Sequence, residues 1–217
     1  MNNIIDKYIE IDLDDNDIDI FIDKYHFQEK DRSLIEKMYE TLRQIIKVEM
    51  IYRIGNGTDN EQQIEANESK NADAQKGGIA LVTLGNAVDE LIDEYNARGE
   101  YSEGYILDCL GLYILSLAYR QLVKAINIEE KCRVTKLNFI GDKYPLSMVP
   151  NVFEKLDIMG RQDLTFSKEY MINPLKTTTM VLETADMDDT EMSEMEITQV
   201  CHICANCNNI NCPVREV

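Results

Sequence analysis

Histidine is nearly absent from this 217-residue chain, with His26 and His202 the only two. A catalytic triad built on an imidazole base is therefore poorly supplied, and a zinc enzyme with three histidine ligands has no raw material. Neither G-x-G-x-x-G nor G-x4-G-K-[ST] occurs, which removes the common nucleotide-binding signatures. Basic residues are also short, with 22 Lys and Arg against 40 Asp and Glu and a net charge of -18. A field of that sign repels nucleic acid and anionic membrane surfaces and attracts a partner with a cationic face, and it also keeps a chain soluble. The opening MNNIIDKYIEIDLDDND lacks the basic start and apolar core of a secretory signal, so the expected compartment is the cytoplasm. The most apolar stretch, Tyr105 to Ala118, is interrupted by Asp108 and is too short to cross a bilayer, so it reads as a buried helix.

What is present is enough apolar sequence, 44% of residues, for one sizeable core. Residues 1–183 read as one domain, 184–200 as an acidic linker and 201–217 as a cysteine-rich tail. The acid-rich run Asp12 to Asp23 lacks the glycine and glutamate of a calcium loop, and its alternating Ile18, Ile20 and Ile22 predict a short strand or the entry to a helix. Ser33 and Glu36 form a capping box that predicts a helix start, and Leu34, Ile35, Met38, Leu42, Ile45 and Ile46 give it a buried face, with an end expected near Tyr52. Gly55 to Lys76 is polar and predicts a solvated excursion or a frayed edge element. Strands are expected at Ile79–Leu84, Cys132–Phe139 and around Met180, where TTTMVLE is rich in β-branched residues. Helices are expected through Val88, Leu91, Ile92 and Tyr95, from Ser102 to Ile126, and from Val149 to Leu156. Tyr105, Ile106, Cys109, Leu110, Tyr113, Ile114 and Leu117 form the apolar stripe of the long one, with Cys109 a buried structural thiol. The order predicts an α+β domain, helices packed on mixed or antiparallel sheet. Glu183, Asp186, Asp188, Asp189, Glu191, Glu194 and Glu196 predict a tether that does not pack tightly.

The tail, CHICANCNNINCPVREV, spaces Cys201, Cys204, Cys207 and Cys212 as C-x2-C-x2-C-x4-C before proline. Thiols so clustered in a reducing compartment point to a metal rather than to disulfides. Short x2 turns suit an iron-sulfur cluster, although the last spacing is one residue longer than the usual x3. Zinc bound by four cysteines also begins with C-x2-C, and unligated thiols are the third alternative.

From about Leu81 onward the chain resembles the activation domain of cobalamin-dependent methionine synthase and its small stand-alone relatives in anaerobic bacteria. TLGNAVDELI at Thr83 to Ile92, YILDCLGLYILSLA at Tyr105 to Ala118, IGDKYPLSMVPNVFEKLDI at Ile140 to Ile158 and LTFSKEYMINPLKTTTMV at Leu164 to Val181 carry the likeness. In those relatives a cysteine-rich end followed by arginine is common, as Cys207, Cys212 and Arg215 are here. The resemblance implies a concave domain that binds S-adenosylmethionine and serves a corrinoid protein or cobalamin-dependent methyltransferase, the partner carrying the cobalamin and an electron donor completing the system. Methyl transfer then draws an uphill reduction of the partner's cobalt forward. The family's R-x-x-x-G-Y signature falls with Lys136 in place of the arginine, Ile140 in place of the glycine and Gly141 in place of the tyrosine. Lysine neutralises a carboxylate without the bidentate fork of arginine. Tyr144, Pro174 and Lys176 lie on matching motifs and are implied to line the same groove. The alternative reading is a non-catalytic, metal-stabilised docking module for a corrinoid protein.

Overall fold

The computed structural model describes residues 3–56, 76–186 and 192–201. Its frame is an antiparallel sheet of β1 (Ile5–Ile9), β2 (Val48–Asn56), β3 (Lys76–Thr83), β4 (Cys132–Phe139) and β7 (Thr177–Asp186), in the order β1-β2-β3-β7-β4. A small hairpin of β5 (Thr165–Phe166) and β6 (Ile172–Asn173) stands apart from it. Period-two alternation sorts the side chains between two faces. Met50, Tyr52, Ala80, Val82, Met180 and Leu182 enter the larger core. Ile51, Ile79, Leu81 and Val181 enter the smaller one on the opposite face.

The larger core is closed by α1 (Asp15–Lys24), α2 (Arg32–Arg43), α3 (Asn86–Ala97), α4 (Tyr101–Glu129) and α6 (Glu194–Val200), and the smaller by α5 (Val149–Lys155) with the loop after it. Among the described residues α4 is the one helix long and apolar enough to cross a membrane, and two thirds of its most apolar window is buried inside the protein. Its apolar character is that of a core helix.

Several expectations are corrected. The acid-rich segment is a helix whose carboxylates serve as caps: Asp17 N–H donates to Asp14 Oδ1 at 2.9 Å and Asp14 N–H to Asp17 Oδ2 at 3.2 Å. The second helix starts one residue before Ser33, which lies inside it, and ends at Arg43 instead of Tyr52. Val48 to Ile54 alternates apolar residues between the two cores and pairs with both β1 and β3, and two ladders of backbone hydrogen bonds override the helical spacing. Tyr105, expected in the buried stripe, is 56% exposed. The acidic linker packs more than expected. Thr184 to Asp186 belong to β7, and α6 is capped by Ser193 and buries Ile197 in the larger core. The excursion at 57–75 lies outside the described residues, between two strands whose pairing runs to Asn56 opposite Lys76.

Candidate functional site

β4 is an edge strand, and the outer face of its last turn carries the main polar cluster. Lys136 lies opposite Glu183 on β7, and Asn138 opposite Val181, so Asn138 and Glu183 share the face of the smaller core. Asn138 Nδ2 donates to Glu183 Oε1 at 2.9 Å, and Lys143 Nζ donates to the same oxygen at 3.0 Å. Burial resists ionisation of Glu183, yet the hydrogen bonds from Lys143 and Asn138, with the charges of Lys143 and Lys136, outweigh it and hold its pKa below the usual value. Asn138 is 2% exposed and its Oδ1 has no hydrogen-bond partner among the described residues. Neither does Lys136 have an ion-pair partner within 4 Å there. Gly141 turns the chain at φ +99°, its N–H donating to Tyr144 O at 2.7 Å, and a Cβ at that position would stand 3.0 Å from Leu146. Tyr144 is half-buried against the smaller core with Lys143 over its ring.

Gly141 and Tyr144 thus meet in one turn and Lys136 lies on β4 opposite Glu183, but Lys176 is placed elsewhere. Its ammonium reaches Asp108 Oδ1 on α4 at 2.5 Å, and its stem lies against Gly111. Pro174 follows a cis peptide bond in the loop before β7. That loop is tied to α3 through Asn173 to Asn86 at 3.2 Å and Leu175 N–H to Asp89 Oδ2 at 2.6 Å.

Of the tail thiols, Cys204, Cys207 and Cys212 lie outside the described residues. Cys201 caps α6 from within the larger core, 9% exposed, and burial pushes its thiol up to about 12. Cys109 is buried as expected, its thiol pushed up to about 11 by the same cause. Among the described residues no three His, Cys, Asp or Glu side chains are placed to hold a metal ion.

A second polar cluster crosses the smaller core's face at the other edge. Glu49 of β2, 4% exposed, receives both terminal nitrogens of Arg161, at 2.8 and 3.0 Å, and Arg161 Nε donates to Asp163 at 3.0 Å. Burial raises the pKa of Glu49 although Arg161 opposes it. Sequence reasoning passed over Asn138, Glu183, Glu49 and Arg161. A signal existed for Asn138, a polar residue inside an expected strand, whereas Glu49 fell in a stretch expected to be helical.

No family model matches the chain, and the sequence of no curated protein does. Among solved structures the chain is similar to the crystal structure of the MetH reactivation domain bound to AdoHcy, with a TM-score of 0.56 and 12% identity, over 88% of this chain and 81% of that one. At that identity the likeness establishes a common fold, and the resemblance drawn from the four motifs holds at that level.

Proposed function

We propose that the chain assists the reductive activation of a corrinoid-dependent methyltransferase, with S-adenosylmethionine as methyl donor. The observation that carries the reading is the fold shared with the MetH reactivation domain bound to AdoHcy across 88% of the chain. The β4–β7 edge supports it chemically. Lys136 offers a cation to the ligand's carboxylate, and Glu183, partly exposed opposite it, offers an acceptor to its ammonium group. The left-handed φ of Gly141 lets the chain turn just after β4, beside this edge. When bound there, the donor supplies a methyl group; the chain's own part is to orient it and keep its charged end satisfied.

The cysteine tail enters this reading as a separate claim. Cys201 as placed is packed in the larger core and belongs to no group of three His, Cys, Asp or Glu side chains placed to hold a metal among the described residues. An iron-sulfur or zinc site would be held by Cys201, Cys204, Cys207 and Cys212, of which the last three lie outside the described residues. Iron, zinc and acid-labile sulfide counts on anaerobically purified protein test that claim.

The docking-module alternative is favoured by one observation, the engagement of Lys176 by Asp108 in place of a free ligand contact. Mixing the chain anaerobically with a cob(II)alamin-loaded methyltransferase, a reductant and S-adenosylmethionine separates the two. Loss of the cob(II) absorbance that requires both the chain and the methyl donor supports activation. Binding of the methyltransferase with no change in that absorbance leaves only the docking role.

A further inference from the structure

A cleft of about 340 Å³ opens where the loop from β1 into α1, the middle of α4 and the first turn of α6 meet. Leu117, Arg120, Gln121 and Lys124 recur at helical spacing, so they share one face of α4 and form one wall. Glu10, Ile11 and Asp12 line the cleft from the loop, Asp17 from α1 and Glu194 from α6. Ile11 and Leu117 are half-buried, each packed against the larger core, and give the cleft an apolar side.

Its charges are unevenly matched. Most of them are already engaged: Lys124 by Glu194 at 2.6 Å, and Asp12 by Arg43 at 3.9 Å. Asp17 accepts the Tyr113 hydroxyl at 3.3 Å and the Asp14 N–H at 3.2 Å. Arg120 is the exception among the cations. It is half-buried, four carboxylates line the same cleft, and yet among the described residues it has no hydrogen bond and no ion pair within 4 Å. Glu10, exposed, is the carboxylate left without either. A guanidinium so placed keeps its planar fork free for an anion that enters from outside.

We propose that this cleft binds a small zwitterion, an α-amino acid with an apolar side chain, its carboxylate on Arg120, its ammonium group toward Glu10 and its side chain against Ile11 and Leu117. A dianion such as phosphate would find Arg120 but would also meet an excess of carboxylates. A bare metal ion finds no three His, Cys, Asp or Glu side chains placed to hold it among the described residues. A zwitterion answers both free charges and adds none. The volume lies at the lower end of that of small-molecule sites, about 300–1,000 Å³. The cleft shares no residue with the β4–β7 edge, so the proposal does not rest on the corrinoid reading.

Titration calorimetry of the full chain with L-leucine and with L-methionine is the test, alongside the methyl ester and the N-acetyl derivative of each and inorganic phosphate. Both amino acids are expected to bind, and each derivative to bind roughly tenfold or more weakly, since each removes one of the two charges. Arg120→Gln is expected to weaken the amino acids by a like factor and Arg120→Lys by less, because lysine keeps the charge and loses the fork. Glu10→Gln should weaken the amino acids and leave the N-acetyl derivatives unaffected, a split that a general loss of structure would not produce. Circular dichroism checks that the variants remain folded. Amino-acid binding that ignores Arg120→Gln overturns the site. Phosphate binding tighter than that of either amino acid overturns the zwitterion, and failure of both amino acids to bind the unaltered chain overturns the proposal.

Discussion

Glu49 and Arg161 show how a single pair can fasten a cap to a sheet. Glu49 points from β2 into the smaller core, where a lone carboxylate would be strongly disfavoured, and Arg161 meets it with two parallel hydrogen bonds from the loop after α5. The arginine also holds Asp163, so one guanidinium ties strand and loop together. Removing the carboxylate and removing the cation are therefore unequal changes. Arg161→Met leaves a buried charge unpaired and is expected to cost about 3 kcal/mol, whereas Glu49→Gln keeps an acceptor for the guanidinium and costs less. Urea denaturation of both variants checks the ranking. Equal losses would mean that the pair acts only as packing. Arg161 was not legible as a partner, because 112 positions separate it from Glu49 and only the fold brings them together.

At the scale of elements, the sequence was most informative where a short run was bounded by clear breaks, even though a register shift between Val134 and Lys136 interrupts the alternation of β4. Cys132 to Phe139 and Val149 to Lys155 lie where their patterns put them, and the long helix extends only a few residues beyond its expected ends. The miss at Val48 has a local cause. Ile45 and Ile46 continue the spacing of α2, neither Gly nor Pro stands between Arg43 and Val48, and only the neighbouring strands decide for sheet. α6 was missed because its acidic residues resemble a solvated run. Ser193 and Glu196 in fact form a reciprocal cap, with the Glu196 N–H donating to Ser193 Oγ at 3.3 Å and the Ser193 N–H donating to Glu196 Oε2 at 2.8 Å. Glu196 also pairs with Arg133 of β4, and Lys124 of α4 reaches Glu194 at 2.6 Å. Ser193→Ala is expected to destabilise α6 by about 1 kcal/mol. Hydrogen exchange should accelerate across Glu194–Val200 while β3 and β7 keep their protection; unchanged exchange there would show that Ile197 and Cys201 hold the helix without its cap.

Across the whole molecule, the α+β class was legible from alternating periods, but strand order was not, since β7 inserts between β3 and β4 only through pairings remote in sequence. The same holds for the candidate site: Lys136, Gly141 and Tyr144 fall within one short stretch and were found together, while Glu183 comes from a distant strand. Charge adds a constraint at this scale. A net charge of -18 opposes compaction at neutral pH, and acidification relieves that repulsion while it protonates carboxylates that the fold prefers ionised. Glu183, Glu129 and Asp163 all have pKa values below their usual ones. For each, the unfolded chain binds the proton more readily, so the contribution is full above the ordinary carboxylate range and is lost as pH falls through the lowered value. The two effects separate in a difference measurement. Lys143→Met removes a cation from Glu183 and leaves the overall repulsion nearly as it was. Its loss of stability should be modest, under about 1 kcal/mol for so exposed a pair, and should be present at pH 7. Thermal denaturation of both proteins should show that difference shrinking as pH falls below about 4 and vanishing once Glu183 is protonated. A difference that stays constant over the whole range would mean that Lys143 stabilises the turn through its contact with Tyr144, and that the charge on Glu183 matters little to the fold.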